Sequence, residues 1–442
     1  MKRPFSIILL ALASLSAVSQ VSFVGTDKNV IEIKPGAETG LQSIYVLNNT
    51  ESVKATYSSK TGSANVKWYK FGETGGAFAE QINDVSYNGT ESILDNIQGN
   101  RGYYIEDGPK RFYFWLVDYS AYQFKLNNAA FATQQDCGAA TLMIDAQCKP
   151  ILYYSITGVP KTLSRDITIS YTTLEWNEDN SSFLSKDAIV TFENISNLAT
   201  VPAPLCNTVF EIEGDRFLKT WGMGTAATTD LYQTKSIDIH TSVIQENRDN
   251  PNEQKGDATT LGGSAPADIV FSSFTTDAVV FKEWQISRDS EFKNILYRFN
   301  EGNLTYSFRD EGTFYVRFLG SNDDASCSVE SEAYAVSIGE SVLECPNAFS
   351  PDASPGVNDE WKVSYKSITS FKCWIFDRYG TQIVTLNEPS QGWDGKYKGK
   401  YVKPGVYYYV IEAMGADGKE YKLKGDINIL KSKNFGNHES VQ

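Results

Sequence analysis

The chain has 442 residues, a formal net charge of -14 at pH 7, and a side-chain composition that is 41% hydrophobic and 13% aromatic. Such an acidic surface repels phosphate backbones and anionic lipid, which argues against nucleic-acid binding and against adsorption to membranes. The length allows three domains of ordinary size or four all-β domains of about 100 residues, and the apolar content is ample for several cores.

At the N-terminus Lys2 and Arg3 precede the apolar run Ile7 to Ala13, and Ala17-Val18-Ser19 places small residues where a signal peptidase reads. Residues 1–19 are therefore expected to be a secretory signal peptide. The run is shorter than the ~20 residues a span requires, and no second stretch is apolar enough, so no membrane span is expected. Removal of the peptide takes away two cations and no acid, which makes the mature surface more acidic still.

The 25 Tyr and 24 Phe fall in short extended runs, which favours strands. A first unit, residues 20–120, reads as short strands between Gly, Asn and Asp turns: Val30 to Ile33, Ser43 to Leu47, Val66 to Phe71, Gly102 to Ile105 and Phe112 to Val117. Trp68 alternates with its neighbours as the central Trp of an immunoglobulin-like sandwich does. A second immunoglobulin-like unit, 121–222, has strands at Thr141 to Ile144, Ile151 to Ile156, Ile167 to Tyr171, Ala188 to Phe192 and Val209 to Ile212. Val201-Pro202-Ala203-Pro204 interrupts it as an edge or a linker.

A third unit, 223–340, opens with Ser236 to His240. It then carries the polar run Gln245 to Ser264, which has little to bury and is expected to be a long exposed loop. Strands follow at Asp268 to Phe271, Glu283 to Ser287, Tyr306 to Phe308 and Gly312 to Phe318. A Trp strand ahead of Gly312-Thr313-Phe314-Tyr315-Val316 resembles the polycystic-kidney-disease (PKD) type of immunoglobulin-like domain.

The last unit, 341–430, carries an ordered series of motifs: Pro346-Asn347-Ala348-Phe349-Ser350-Pro351, then Asn358-Asp359, Phe376-Asp377-Arg378-Tyr379-Gly380, Trp393-Asp394-Gly395, Pro404-Gly405-Val406-Tyr407 and Lys424-Gly425-Asp426. The series resembles the gliding-motility-associated C-terminal domain of Bacteroidetes proteins, which in that family commonly serves as the type B signal for export by the type IX secretion system. The resemblance implies an exported chain and a contact with secretion machinery. It assigns a structural or sorting role to Pro346, Asn347, Phe349, Pro351, Asn358, Asp359, Phe376, Arg378, Gly380, Trp393, Asp394, Gly395, Pro404, Gly405, Tyr407 and Gly425.

From the residues themselves, Trp393 is expected to anchor a core, and Asp417-Gly418 to make a tight hairpin turn. Val406, Tyr408 and Val410 share one face of a strand and Tyr407, Tyr409 and Ile411 the other. Both faces are apolar or amphipathic, so a middle strand packed on two sides is expected.

Two features depart from the family pattern. The family's acidic Asn-Gly-Asp-Gly loop is replaced by Asp352-Ala353-Ser354-Pro355-Gly356. That leaves Asp352, Asn358 and Asp359 as oxygen donors and no expected Ca²⁺ site. The chain also continues as a polar tail, 431–442, where the family ends close to its last strand; a tail there would impair reading of a free terminal strand.

Candidate chemistry is sparse. The histidines are His240 and His438, with His240 expected to end its strand as an ordinary residue. No metal-ligand, nucleophile-elbow, Walker or dinucleotide motif occurs, and acidic pairs such as Asp323-Asp324 read as turns. Neither a catalytic residue nor a cofactor is expected. The six cysteines, Cys137, Cys148, Cys206, Cys327, Cys345 and Cys373, allow fifteen disulfide pairings, with Cys373 alternating as a core residue. Tyr103-Tyr104 and Phe112 to Trp115 suit a strand core better than a sugar-stacking platform.

The expected fold class is thus all-β, tandem immunoglobulin-like and PKD-like sandwiches. The expected function is that of a secreted or cell-surface, non-catalytic, structural or adhesive protein that contacts a surface protein or glycan; the periplasm is the alternative location. A surface carbohydrate-binding protein of a glycan-uptake system and a glycan hydrolase with a carboxylate pair are the competing functions.

Overall fold

The computed structural model describes residues 21–60, 62–132, 136–256, 260–351 and 356–430. The expected signal peptide, the polar tail 431–442 and Asp352 lie outside the described residues. The chain forms two compact units, residues 1–173 with 186–233, and residues 174–185 with 234–442. Both are built of strands, and the one α-helix among the described residues, Arg216–Thr220, is five residues long. No described helix is long and apolar enough to cross a membrane.

In the first unit, a four-stranded sheet (Val21–Val24, Lys54–Ser58, Glu91–Leu94, Ser86–Asn88) covers one face of a six-stranded sheet. The larger sheet runs Ile31–Ile33, Ser43–Leu47, Lys110–Asp118, Arg101–Asp107, Val66–Phe71 and Glu80–Ile82. Trp68 is fully buried in between, its indole N–H donating to Ser92 Oγ at 2.9 Å. Ser43–Leu47 and Lys110–Asp118 pair in parallel, with Phe114 opposite Ser43. Phe114 and Leu116 join the sandwich core around Trp68, whereas Trp115 and Val117 join a second core with Ile44 and Val46. These runs lack alternation because both faces of the strands are covered.

That second core continues without a break into the next module through Ile144, Ile151, Ile167, Ile169, Phe210 and Ile212. The module consists of the sheet Lys125–Phe131, Ala139–Gln147, Leu198–Pro202, the hairpin Ile151–Tyr154/Pro160–Leu163, and the sheet Ser182–Phe192, Ile167–Asn177, Glu211–Gly214, Thr225–Thr228. Its last strand lies beyond Gly222, where sequence reading placed the edge of the module. Leu198–Pro202 is an edge strand, the position where a proline costs no ladder bond.

The seam between the two modules admits no side chain at two positions. A Cβ on Gly75, at φ 82°, would lie 2.6 Å from the Ile156 carbonyl oxygen, and one on Gly158, at φ 83°, would lie 2.7 Å from that of Glu73. At its centre Arg165 is wholly buried, with Nε donating to Asp215 Oδ2 at 2.7 Å and Nη1 to the Lys149 carbonyl at 2.7 Å. Its Nη2 donates to the Tyr122 carbonyl at 2.6 Å, and Asp215 Oδ1 caps the short helix by accepting from Leu218 N at 3.0 Å. All three guanidinium nitrogens and both carboxylate oxygens of this buried pair are thus engaged, the condition for burying it at all.

In the second unit, the sheet Ile239–Gln245, Ala267–Thr275, Asn303–Phe308 faces the sheet Leu261–Gly263, Tyr334–Ile338, Gly312–Ser321, Phe281–Ser287, Ile295–Phe299, with Ser328–Glu330 added beside Gly312–Ser321. Trp284 fills the core and donates to the Gly302 carbonyl at 3.0 Å. His240 lies at the start of its strand, not at its end, and its ring stacks on Trp176 at 4.2 Å with an interplanar angle of 5°. The final module pairs a two-stranded ladder (Val342–Glu344, Ser364–Lys366) with a five-stranded sheet ordered Ala348–Phe349, Glu420–Ile429, Gly405–Gly415, Ile368–Phe376, Gln382–Leu386.

The stretch after Gln245 is not the free loop its composition suggested. Asn252 Nδ2 donates to the carbonyls of Val363 and Pro389, both at 2.8 Å, and Gln254 N donates to the Tyr365 carbonyl at 2.7 Å. Glu253 is buried against Arg248 Nη2 at 2.6 Å and Asn250 Nδ2 at 3.1 Å. Polar residues can be buried where each finds a hydrogen-bond partner, and here Val363, Tyr365 and Pro389 of the next module add to the partners that Arg248 and Asn250 supply locally. Ser264 and Ser367 complete the joint reciprocally: Ser367 N donates to Ser264 Oγ at 2.9 Å, and Ala265 N to Ser367 Oγ at 3.2 Å.

Candidate functional site

The terminal module holds most of the motif residues singled out from sequence, and the structure gathers them around two tryptophans. Trp361 and Trp393 exchange backbone hydrogen bonds at 2.9 and 3.0 Å. The Trp361 indole N–H donates to the Pro346 carbonyl at 2.7 Å, and the Trp393 indole N–H to the Lys396 carbonyl at 3.0 Å. Phe349 and Tyr407 pack on Trp393 with ring centroids 5.4 and 5.2 Å away. Tyr407 Oη reaches the Lys403 carbonyl at 3.0 Å, just before Pro404-Gly405.

The remaining motif residues set turns and edges. Gly395, at φ 76°, leaves 3.0 Å between a would-be Cβ and Pro351 Cγ, so only glycine lets the two turns close together. Asp394 Oδ1 accepts from Lys396 N at 3.0 Å while Oδ2 pairs with Lys396 Nζ at 2.9 Å. Burial alone would raise its carboxyl, but Lys396 outweighs it and holds it below the ordinary carboxylate range.

In the turn containing Arg378 and Gly380, Asp377 Oδ1 accepts from the amides of Thr381 and Tyr379, each at 2.8 Å. Those amides, Thr381 first, depress the Asp377 carboxyl. Arg378 lies over the exposed Tyr379 ring at 4.9 Å. Asn347 O accepts from Asn428 N at 2.9 Å, and Asn358, in the left-handed region at φ 55°, offers its carbonyl to Ser350 N at 3.0 Å. Asp359 accepts from Gly356 N at 2.5 Å. Phe376 stands opposite Tyr408, and Gly425 opposite Tyr409. These residues build a sandwich; none is arranged around a reacting group. Among the described residues no three His, Cys, Asp or Glu side chains are placed to hold a metal ion.

Gly405–Gly415 departs from the expectation of a strand packed on both sides. Tyr407, Tyr409 and Ile411 face the core, but Val406, Tyr408 and Val410 are 43%, 46% and 40% exposed. Trp374, in register with Val410, and Phe376 widen this open apolar stripe. The module is also distinct in charge. Residues 341–430 contain eleven Lys or Arg and eleven Asp or Glu, so the whole net charge of -14 sits on the rest of the chain.

The thiols are used differently along the chain. Cys137 and Cys327 are disulfide-bonded, whereas Cys148, Cys345 and Cys373 are free thiols. Cys373 is buried as its alternation suggested, and burial, with the neighbouring Cys345, pushes its thiol up to about 12. Asp324 is an ion-paired turn residue, with Lys235 Nζ at 2.6 Å.

Several contributors were missed from sequence. Trp361, Val363 and Tyr365 alternate with Lys362 and Ser364, a period-two signal that marks a strand face. Asn252, Glu253 and Ser264 carried no signal of the joint, because the residues of the next module that they bond, Val363, Tyr365 and Ser367, are more than 100 residues away.

The fold is that of tandem β-sandwich modules ending in a module organised around Trp361 and Trp393. Residues 343–429 match the CHU_C type IX secretion signal domain, and residues 129–229 match the fibronectin type III domain. The second module, read from sequence only as immunoglobulin-like, is therefore fibronectin-like. No curated protein matches the chain.

Among solved structures, the chain is similar to a tetra-tandem repeat from the extending region of a large adhesion protein, at 11% identity, over 86% of this chain and 96% of that one, with a TM-score of 0.21. It is also similar to immunoglobulin domains 1–5 of Sidekick-1 (10% identity, 92% and 80% coverage, TM-score 0.27). A third is the three N-terminal domains of the bacteriophage RB49 outer capsid protein Hoc (10% identity, 70% and 100% coverage, TM-score 0.22). Likeness at this level concerns modular β-architecture alone.

Proposed function

We propose that this chain is an exported, non-catalytic protein of the cell surface or extracellular space, in which the first three modules form a structural or adhesive body. The third module serves as a PKD-like spacer, and the terminal module addresses the chain to type IX export machinery. The match of residues 343–429 to a secretion signal domain carries the reading. The engagement of the candidate reactive groups supports the absence of catalysis: His240 is stacked, Asp324 ion-paired and Cys373 buried.

The open stripe of Val406, Tyr408 and Val410 is the surface through which the machinery reads the module. Deleting everything after Glu340 would also strip the partners of Asn252 and Glu253, so point substitutions give the cleaner test. Cells expressing the chain with Tyr408→Glu and Val410→Glu are expected to lose surface-protease accessibility relative to the unaltered chain. Equal accessibility would remove the stripe as a recognition surface, and protection of both forms would place the protein in the periplasm and end the adhesive reading.

A further inference from the structure

The third module carries a groove of about 780 Å³ whose lining is ordered by strand register. In one row Glu283, Leu319 and Glu330 stand side by side on three adjacent strands, and in the next Phe281, Ser321 and Ser328 do the same. Directly opposed residues point to the same face, so the two rows form one surface, with Asn300 beside them. The volume falls in the range of small-ligand sites.

The polar groups here are held in place. Glu283 Oε1 accepts from Arg298 Nη1 at 2.6 Å and from Gln285 Nε2 at 2.5 Å. Glu330 Oε2 accepts from Arg317 Nη1 at 2.8 Å, and that guanidinium is itself fixed by Nε on Gln285 Oε1 at 3.0 Å. Among the described residues the second oxygen of each glutamate, and the side chains of Asn300, Ser321 and Ser328, make no hydrogen bond. Two oriented acceptors, two hydroxyls and an amide thus converge on a concavity edged by Phe281, which is 56% exposed.

We propose that this groove binds a neutral oligosaccharide, with a sugar ring stacked on Phe281 and its hydroxyls donating to Glu283 and Glu330. Carboxylates accept hydrogen bonds and donate none, which suits a ligand rich in hydroxyls and disfavours acidic glycans. Each glutamate is already paired with an arginine, so a cationic ligand is not demanded. Phe281–Ser287 pairs along its whole length with Gly312–Ser321 and, from Trp284 on, with Ile295–Phe299, so the strand that carries Phe281 and Glu283 is held in the sheet. The site is independent of how the chain leaves the cell.

The test is calorimetric titration of the purified full chain with hexasaccharides of β-1,4-glucan, β-1,3-glucan, β-1,4-xylan and α-mannan, with hexagalacturonate as the acidic probe. At least one neutral hexasaccharide is expected to bind. Phe281→Ala is expected to weaken that binding by about tenfold or more, at an unchanged melting temperature, because the ring is largely exposed. Glu330→Gln, which keeps the side-chain shape, is expected to weaken it by at least about threefold. Absence of binding by every neutral probe at about 10 mM, equal binding by both variants, or preference for hexagalacturonate would each overturn the proposal.

Discussion

Two strands of this chain carry the same kind of message in sequence and meet different fates. Lys110–Asp118 and Gly405–Gly415 both contain continuous apolar and aromatic runs with no polar face. In the first, Phe114 and Leu116 enter one core and Trp115 and Val117 another, the second core being shared with the neighbouring module. In the other, Tyr407 and Ile411 enter a core while Val406, Tyr408 and Val410 remain at the surface. An apolar second face therefore reports a propensity for cover, and the cover itself comes from elsewhere in the fold. The joints between modules differ in the same sense: the first pair shares a continuous apolar core, whereas the last pair has separate cores bridged by hydrogen bonds.

The sharpest way to break this contrast is at Arg165. Replacement by Met leaves Asp215 buried without its partner and is expected to cost about 3–5 kcal/mol in the first unit. Urea unfolding followed by fluorescence checks it; a loss below about 1 kcal/mol would mean that the shared core alone holds the joint.

Matched hydroxyl substitutions compare the two strands directly. Val117→Thr buries a hydroxyl and is expected to destabilise by about 1–3 kcal/mol, whereas Val410→Thr should stay within about 0.5 kcal/mol. Equal effects would show that the outer face of Gly405–Gly415 is covered in solution.

At the joint of the last two modules, Glu253→Gln weakens the contacts to Arg248 and Tyr365 and should cost about 1–3 kcal/mol. Faster amide hydrogen exchange at Tyr365 and Ser367, without change in the strands around Trp393, would mark local undocking. Uniform exchange across the module would contradict a separable joint.

The smallest expected effect is at alkaline pH. Burial, reinforced by the charge of Glu253, raises the Tyr365 phenol to about 12 from an ordinary value near 10. Its neutral form is favoured in the docked state, so the contribution is fully present below pH 10 and is lost as pH rises from 10 through 12. Tyr365→Phe should remove this dependence from the melting curve; an unaltered dependence would assign it to other tyrosines such as the half-buried Tyr409, also raised to about 12.

By itself, the amino-acid sequence determined the all-β class, because strand runs rich in aromatic and β-branched residues between Gly, Asn and Asp turns leave few alternatives. It also marked Trp393 as a core anchor, the strands that hold Trp68 and Trp284, and the motif series of the terminal module. In each case the cause is local: a period of two, a turn that needs glycine, or an ordered set of neighbouring residues. Tertiary structure decided what lies between such segments. Asn252 and Glu253 look like surface residues until Val363 and Tyr365 are brought to them, Arg165 looks solvated until Asp215 closes on it, and the groove by Phe281 exists only once three strands align. Hydrogen bonds, ion pairs and concave surfaces of that kind depend on partners tens to hundreds of residues away, and composition and periodicity do not encode those distances.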